Sequence, residues 1–119
     1  MKAIEFNEYG GPDVLHLVEV KLTHPGPKEI RIKVHAAGVN PSDWKRREGQ
    51  YRAFEDIQFP TGLGVEGSGI VTEVGPGVAG VAIGDAVFGF DDEAQRLIAA
   101  QELRIVRAHD IRNQARSLV

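Results

Sequence analysis

The chain has 119 residues, a formal net charge of −3 at pH 7 and 42% hydrophobic residues, as expected for a globular domain with one core. This charge provides no basic field for nucleic acid or an anionic membrane, and no apolar run is long enough to cross a bilayer. We therefore expect neither partner. Cysteine is absent, which excludes disulfides, thiolate metal sites and cysteine nucleophiles, and fits a cytoplasmic protein.

Short strands dominate the first ninety residues. We predict strands over residues 1–7 and 14–20, followed by a third over 29–36 that alternates in polarity with a period of two. This alternation indicates a sheet with one buried and one solvated face. The residues predicted to face inward are Ile30, Ile32, Val34 and Ala36, and those predicted to face solvent are Glu29, Arg31, Lys33 and His35.

A short helix is predicted after the third strand. Asn40 suits the N-cap and Pro41 the first helical position, the helix should end by Gly49, and residues 45–47 (KRR) are interpreted as its solvated face. Further strands are predicted over 69–75 and 81–90. Several short strands with regular turns predict a mainly β fold, a small and partly open barrel.

The composition changes abruptly near Phe90. All fourteen glycines and all six prolines lie at or before residue 89. Asp91 and Asp92 suit a helix N-terminus, so we predict a helical C-terminal tail over 91–119. One kinked helix, or a helix with a short extended piece, would satisfy the pattern.

Residues 62–67 match the glycine pattern G-x-G-x-x-G of dinucleotide-binding folds. A working pattern needs a preceding strand and a helix that opens within it, because the helix N-terminus binds the pyrophosphate. Here Pro60 precedes the pattern, and strand-forming residues with Gly75 follow it. We therefore interpret these glycines as bends in a barrel wall.

Linked motifs recur in order along the first ninety residues: AAGVNPSDWK at 36–45, FP at 59–60, GVEGSG at 64–69, VGPGV at 74–78 and GDAVFG at 84–89. Together they resemble the first domain of the medium-chain dehydrogenase/reductase superfamily, and within it the zinc-independent, zeta-crystallin-like quinone oxidoreductases. The resemblance implies a GroES-like, incomplete barrel over residues 1–90. In that family a Rossmann domain follows, binds NADPH and forms the active-site cleft together with the first domain.

The resemblance implies two catalytic residues, Asn40 and Tyr51, and two cofactor-binding residues, Asn40 and Asp43. An Asn amide and a Tyr hydroxyl can donate hydrogen bonds to a carbonyl oxygen that gains negative charge as hydride arrives. From the residues alone, Asn40 could equally be a helix cap and Tyr51 a half-buried aromatic. Asp43 could simply stabilise the first helical turn.

The same resemblance shows which residues would have to bind zinc. Zinc-dependent relatives have a Cys at the position of Asn40 and a His at that of Val65, and neither residue of this chain binds zinc. Relatives with a structural zinc use four cysteines, and this chain has none. We therefore expect no metal site.

The family pattern is expected to stop after Phe90, with the Rossmann domain absent and residues 91–119 an atypical tail, as in a truncated or rearranged gene. Such a chain is expected to bind no NADPH alone and to expose apolar surface that favours self-association or a Rossmann-type partner. The first hypothesis is a fragment of an NADPH-dependent quinone or enone reductase, inactive alone. The alternative is a non-catalytic binding or assembly module that reuses the barrel.

Overall fold

The computed structural model describes residues 1–90, 103–108 and 111–113. Within these ranges the chain forms two antiparallel sheets, one α-helix and one short 3-10 helix. The strands are β1 (Lys2–Glu5), β2 (His16–Glu19), β3 (Glu29–Ala37), β4 (Glu66–Val74), β5 (Ala86–Phe90), β6 (Leu103–Arg107) and β7 (Ile111–Asn113), with the 3-10 helix at Pro12–Val14 and helix α1 at Pro41–Arg47.

The larger sheet has five strands in the order β6-β3-β4-β5-β7, and every neighbouring pair is antiparallel. In β3, Ile30 and Ile32 are buried while His35 is exposed, as the alternating pattern predicted. Ala36, predicted to face inward, is exposed instead. The register between β3 and β4 shifts between Val34 and Ala36, and such an irregularity breaks the alternation of faces.

One apolar cluster holds the larger sheet together. Its buried members are Ile30, Ile32, Val71, Val87 and Val106, which come from four different strands. Partly buried side chains pack against this cluster, namely Val34, Val78, Val81 and Ala108. Burial of a side chain of this size stabilises the fold by about 1.5–3 kcal/mol, so the cluster is a major source of stability in the sheet.

A glycine lets β3 and β4 approach closely. Gly69 pairs with Val34, and a Cβ atom added at Gly69 would collide with the backbone carbonyl of Lys33. A backbone carbonyl cannot move aside without displacing its strand, so only glycine fits here.

The smaller sheet pairs β1 with β2, and β1 leads into contacts with the loop that precedes β4. The Phe6 amide donates to the Thr61 carbonyl oxygen at 2.9 Å, and the Thr61 amide donates back to the Phe6 carbonyl oxygen at 3.0 Å. The Phe59 ring packs edge-on against Phe6 and Tyr9, with centroid distances of 5.7 and 5.3 Å. The peptide bond from Phe59 to Pro60 is cis. These contacts hold the loop against the N-terminal hairpin.

The described residues confirm a mainly β fold with a short helix after the third strand. Within those ranges the two sheets do not close into a barrel, in keeping with the partly open form predicted. The strand predicted over 81–90 is shorter than expected and begins at Ala86. A turn precedes it, because Gly84 has a φ of 93° and the Asp85 carboxylate accepts from the Ala82 amide at 2.9 Å.

The prediction of a helical tail is wrong wherever the tail is described, and only the alternative with a short extended piece agrees with the strand at Leu103–Arg107. Leu103–Arg107 and Ile111–Asn113 are strands that pair with β3 and β5 at the two edges of the larger sheet. Val106 is buried in the core cluster, with 3% of its surface exposed. Pairing and burial at a sheet edge therefore override the weak helix preference of this segment. The rest of the predicted tail, 91–102, 109–110 and 114–119, lies outside the described residues.

Candidate functional site

Helix α1 begins where the sequence predicted. Asn40 occupies the N-cap position with an extended backbone, and Pro41 follows as the first helical residue. The backbone amide of Asn40 donates to the Asp43 carboxylate at 2.8 Å. In return, the backbone amide of Asp43 donates to the backbone carbonyl oxygen of Asn40 at 2.9 Å. These reciprocal bonds fix the backbone of Asn40, which is half-buried, to the first turn of the helix.

Asp43 connects the start of the helix to the glycine-rich loop. Only 5% of the residue is exposed. Its Oδ2 accepts from the Asn40 amide, and its Oδ1 accepts at 3.0 Å from the amide of Gly64, which lies 21 residues further along the chain. The structure thus brings Asp43 and Asn40 together, with both oxygens of the carboxylate bonded to backbone amides.

Arg46 makes a second connection from the helix to the same loop. Its Nη1 donates to the Gly62 carbonyl oxygen at 3.2 Å, and its Nε donates to the Glu55 carboxylate at 2.9 and 3.1 Å. Arg47 donates through Nε to the Gly10 carbonyl oxygen at 3.1 Å. The side chains of Arg46 and Arg47 are only 13% and 11% exposed, so the interpretation of a solvated KRR face is wrong for both.

The glycine pattern at 62–67 leads into a strand, since β4 begins at Glu66. The Gly64 amide, a group of the kind that binds a phosphate, is bonded to Asp43, and Gly64 itself has a φ of 100°. The prediction of a turn conformation is confirmed at Gly64. Because neither a helix N-terminus nor a free Gly64 amide is present, the residues at 62–67 do not fit a dinucleotide pyrophosphate.

Tyr51 lies in the turns that follow α1 and is half-buried. Its carbonyl oxygen accepts from the amides of Phe54 and Glu55 at 2.8 and 3.0 Å. Within the part of the chain that the structure describes, no hydrogen bond joins Tyr51 to Asn40. The structure therefore places the two residues implied to be catalytic on different local elements.

An open groove of about 740 Å³ lies where β3 ends and β4 begins. Cross-strand neighbours line it: Ser68 lies beside Phe88, Phe88 beside Arg112, and Phe90 beside Glu66. Phe88 and Phe90 expose 44% and 55% of their surface. The groove therefore presents two aromatic rings together with one basic and one acidic side chain.

Sequence reasoning did not identify this groove. The available signal was the spacing of Phe88 and Phe90, because residues two apart on a strand point to the same face. The lining also includes Gly38, which precedes the Asn40 loop, but not Asn40, Asp43 or Tyr51.

Among residues 1–90, 103–108 and 111–113, no group of three His, Cys, Asp or Glu side chains is arranged to hold a metal ion. No helix in these same ranges has the length and apolar character needed to traverse a lipid bilayer.

Comparison with known proteins gives the family. The sequence matches the alcohol dehydrogenase GroES-like domain over residues 26–104. It is 42% identical to a quinone oxidoreductase of Pseudomonas aeruginosa over 86 residues, which are 72% of this chain and 26% of that protein. It is 43% identical to the NADPH-dependent alkenal/one oxidoreductase of Arabidopsis thaliana over 90 residues, which are 74% of this chain and 23% of that protein.

The similarity continues past Phe90, so the expectation that the family pattern stops there is wrong. A chloroplast envelope quinone oxidoreductase homolog of Arabidopsis thaliana is 32% identical over 118 residues, covering 93% of this chain and 36% of that protein. The structure of Escherichia coli quinone oxidoreductase complexed with NADPH matches with a TM-score of 0.81 at 33% identity, covering 95% of this chain and 33% of that chain. The pairing of β6 and β7 with the sheet explains why the fold is shared beyond residue 90.

The chain belongs to the alcohol dehydrogenase GroES-like domain family. Its relatives place it among the quinone oxidoreductase-like members of the medium-chain dehydrogenase/reductase superfamily. The chain spans about a quarter to a third of the length of these relatives, from 23% to 36%.

Proposed function

We propose that this chain forms the substrate-side domain of an NADPH-dependent, zinc-independent oxidoreductase that reduces a quinone or an enone. The observation that carries the proposal is the placement of Asn40, half-buried at the N-cap of α1, on a fold shared with proteins named as quinone and alkenal/one oxidoreductases. Quinones and enones share a carbonyl conjugated with a carbon–carbon double bond, so one pocket chemistry can serve both classes.

In this proposal Asn40 and Tyr51 act on the substrate carbonyl. The Asn40 side-chain amide and the Tyr51 hydroxyl donate hydrogen bonds to the carbonyl oxygen, which becomes more negative as the conjugated system is reduced. The two bonds that hold the Asn40 backbone restrain the point from which its side chain projects, so the backbone needs little reorganisation when the charge develops. The Tyr51 ring can also pack against a flat substrate.

The cofactor belongs, in this proposal, to a separate Rossmann-type domain. The glycine loop at 62–67 does not fit a pyrophosphate, because the Gly64 amide is bonded to Asp43 and a strand follows. A solved neighbour is complexed with NADPH, and this chain covers only 33% of it. We therefore infer that the 119 residues alone bind NADPH no more tightly than a nonspecific anion and are inactive alone.

Zinc independence rests on two positions. Asn40 and Val65 stand where zinc-dependent relatives have ligands, and neither side chain coordinates zinc. Chelator treatment of the purified protein should leave both its unfolding midpoint and its affinity for a quinone unchanged. A chelator-sensitive midpoint that zinc restores would contradict this part of the proposal.

The cofactor inference is tested by isothermal titration of the full chain with NADPH. The expected result is heat no larger than that of a pyrophosphate titration matched for ionic strength. A micromolar dissociation constant for NADPH would overturn the inference. NADPH oxidation by the chain alone across a panel of quinones and enones would do the same.

The substrate inference is tested with Trp44, the only tryptophan, which follows Asp43 and is 40% exposed. Quinones quench indole fluorescence, so titration with 1,4-naphthoquinone should produce saturable quenching. Asn40→Ala and Tyr51→Phe should each weaken binding about fivefold, as expected when one neutral hydrogen bond is lost.

Matched controls exist in the same chain. Asn7→Ala changes an exposed asparagine, and Tyr9→Phe changes the only other tyrosine. Both should leave quinone affinity within about twofold of the parent, well inside the spread of a single hydrogen bond. Equal affinities for all four variants, or quenching that never saturates, would rule out Asn40 and Tyr51 as substrate donors.

The exposed aromatic face of the groove is, we infer, the surface that contacts the cofactor-binding domain. Phe88 and Phe90 are large apolar side chains that lie side by side and expose 44% and 55% of their surface. Exposed apolar patches of this kind commonly mark interfaces. Without that domain the same face should drive self-association, so light scattering should show mass above one chain at high concentration. Phe88→Ser should lower that mass, whereas a monomer at every concentration would contradict the inference.

A further inference from the structure

The glycine-rich loop and helix α1 are joined by two side chains of the helix. Asp43 and Arg46 are three residues apart, so they project from the same face of α1. Asp43 accepts from the Gly64 amide, and Arg46 donates to the Gly62 carbonyl oxygen. The loop therefore donates one hydrogen bond to the helix, at Asp43, and accepts one from it, at Arg46. Two bonds of opposite direction define both the position and the orientation of the loop.

Asp43 does more than cap the helix. A capping carboxylate needs only the N-cap amide, yet the second oxygen of Asp43 reaches the loop, and the whole residue is buried. Burying a carboxylate is unfavourable unless its oxygens are hydrogen-bonded, so both bonds are needed to hold it there. The loop must also present the Gly64 amide with a φ of 100°, a conformation that other residues adopt only with strain.

We propose that Asp43 is a positioning residue that couples Asn40 to the loop at 62–64. Arg46 forms a second connection between helix α1 and this loop. One carboxylate holds the backbone of Asn40 and the backbone of Gly64 at the same time, so displacement of either segment displaces the other. The glycine pattern then serves this coupling instead of a nucleotide. The consequence for catalysis rests on the proposed function, in which the side-chain amide of Asn40 contacts the substrate. The coupling would set the position of the backbone that carries this side chain.

Backbone amide exchange, measured by NMR on the full chain, tests the coupling without any activity. Asp43→Ala removes both acceptors, so the amides of Asn40 and Gly64 should each exchange at least about tenfold faster, the loss expected for a buried charged hydrogen bond. Amides of the sheet core, such as that of Ile32, should stay within about twofold. Asp13→Ala, at an exposed aspartate in the 3-10 helix, is the matched control and should change neither probe.

A milder variant covers the case in which Asp43→Ala does not fold. Asp43→Asn keeps one acceptor oxygen and replaces the other by a donor, so at least one of the two amides should exchange about tenfold faster. Unchanged exchange at both Asn40 and Gly64 in a folded variant would overturn the proposal. A uniform acceleration that includes Ile32 would overturn it as well, because it would show general destabilisation.

Gly64→Ala separates the coupling from a purely local role of Asp43. If Asp43 acted only on the helix, this substitution would leave the exchange rate of the Asn40 backbone amide unchanged. The substitution disfavours the positive φ at the loop, and the coupling predicts faster exchange of the Asn40 amide although residue 64 does not bond to Asn40. Unchanged exchange at Asn40 would refute the coupling. Quinone affinity is measured separately: if exchange responds and Asn40→Ala leaves affinity unchanged, the coupling stands and the proposed function fails.

Discussion

The larger sheet and the segment that carries the candidate site are held together in different ways. Apolar side chains of the sheet, such as Ile32, Val71 and Val106, pack against one another in one buried cluster. The two ends of the segment from Asn40 to Gly64 are joined by charged side chains bonded to backbone groups. Apolar burial is non-directional and sets overall stability, whereas hydrogen bonds are directional and set the position of particular atoms.

This difference gives two kinds of expected response to substitution. A change in the sheet should lower the free energy of unfolding of the whole domain, because its core cluster joins four strands. A change in the site segment should act mostly on local order. The following substitutions test that division.

The largest effect is expected from Gly69→Ala. The added methyl group would collide with the Lys33 carbonyl, so β3 and β4 must separate, and the free energy of unfolding should fall by roughly 3 kcal/mol or more. The control is Gly84→Ala, where nothing lies within 4 Å and only the φ of 93° is strained, for a loss of about 1–2 kcal/mol. Urea denaturation measures both, and equal losses would show that the close approach is not a constraint.

A smaller loss is expected from Val106→Ala. Val106 is buried on β6 beside Ile30, so removing its two methyl groups should cost about 2 kcal/mol. A loss below about 0.5 kcal/mol would contradict the burial of Val106 on the sheet. Thermal or urea unfolding of the full chain distinguishes the two outcomes.

Arg46→Gln should have a moderate effect. The substitution removes the ion pair with Glu55 and the bond to the Gly62 carbonyl, and the partly exposed position reduces the loss to about 1–2 kcal/mol. Arg52→Gln, at an exposed arginine beyond the helix, should change stability little. If Arg46→Gln and Arg52→Gln have the same urea midpoint, the connection from Arg46 to the loop contributes nothing to the free energy of unfolding.

The smallest effect is expected from Glu19→Gln. Glu19 pairs with the N-terminal ammonium at 3.1 Å, but its side chain is 71% exposed. Such a surface pair is worth under about 1 kcal/mol, and salt should remove what little it contributes. A loss comparable to that of Val106→Ala would show that charges stabilise the hairpin as strongly as burial stabilises the sheet.

Much of the fold could be predicted from the sequence, because its local signals agree with the final structure. The alternation in β3 predicted the buried positions of Ile30 and Ile32, and Asn40 with Pro41 predicted the start of α1. The tail gave no comparable signal. Residues 103–107 (LRIVR) do not alternate cleanly, and their strand state comes from pairing with β3, which is distant in sequence.

The candidate site was predictable only in part, for a similar physical reason. Asn40 and Asp43 share one local motif, so sequence placed them together. The bond from Asp43 to Gly64 and that from Arg46 to Gly62 depend on how a loop folds back over 21 and 16 residues. The groove also includes Arg112, which reaches Phe88 only through the pairing of β7 with β5.

The outer strands of the larger sheet come from residues 103–113, and they lie on opposite sides of a three-stranded centre made earlier in the chain. During synthesis on the ribosome, β3, β4 and β5 therefore emerge before either of their flanking strands. Unpaired strand margins are templates for association with other nascent chains. The native sheet can be completed only after residue 113 has left the exit tunnel, so its three central strands stay open at both margins until then.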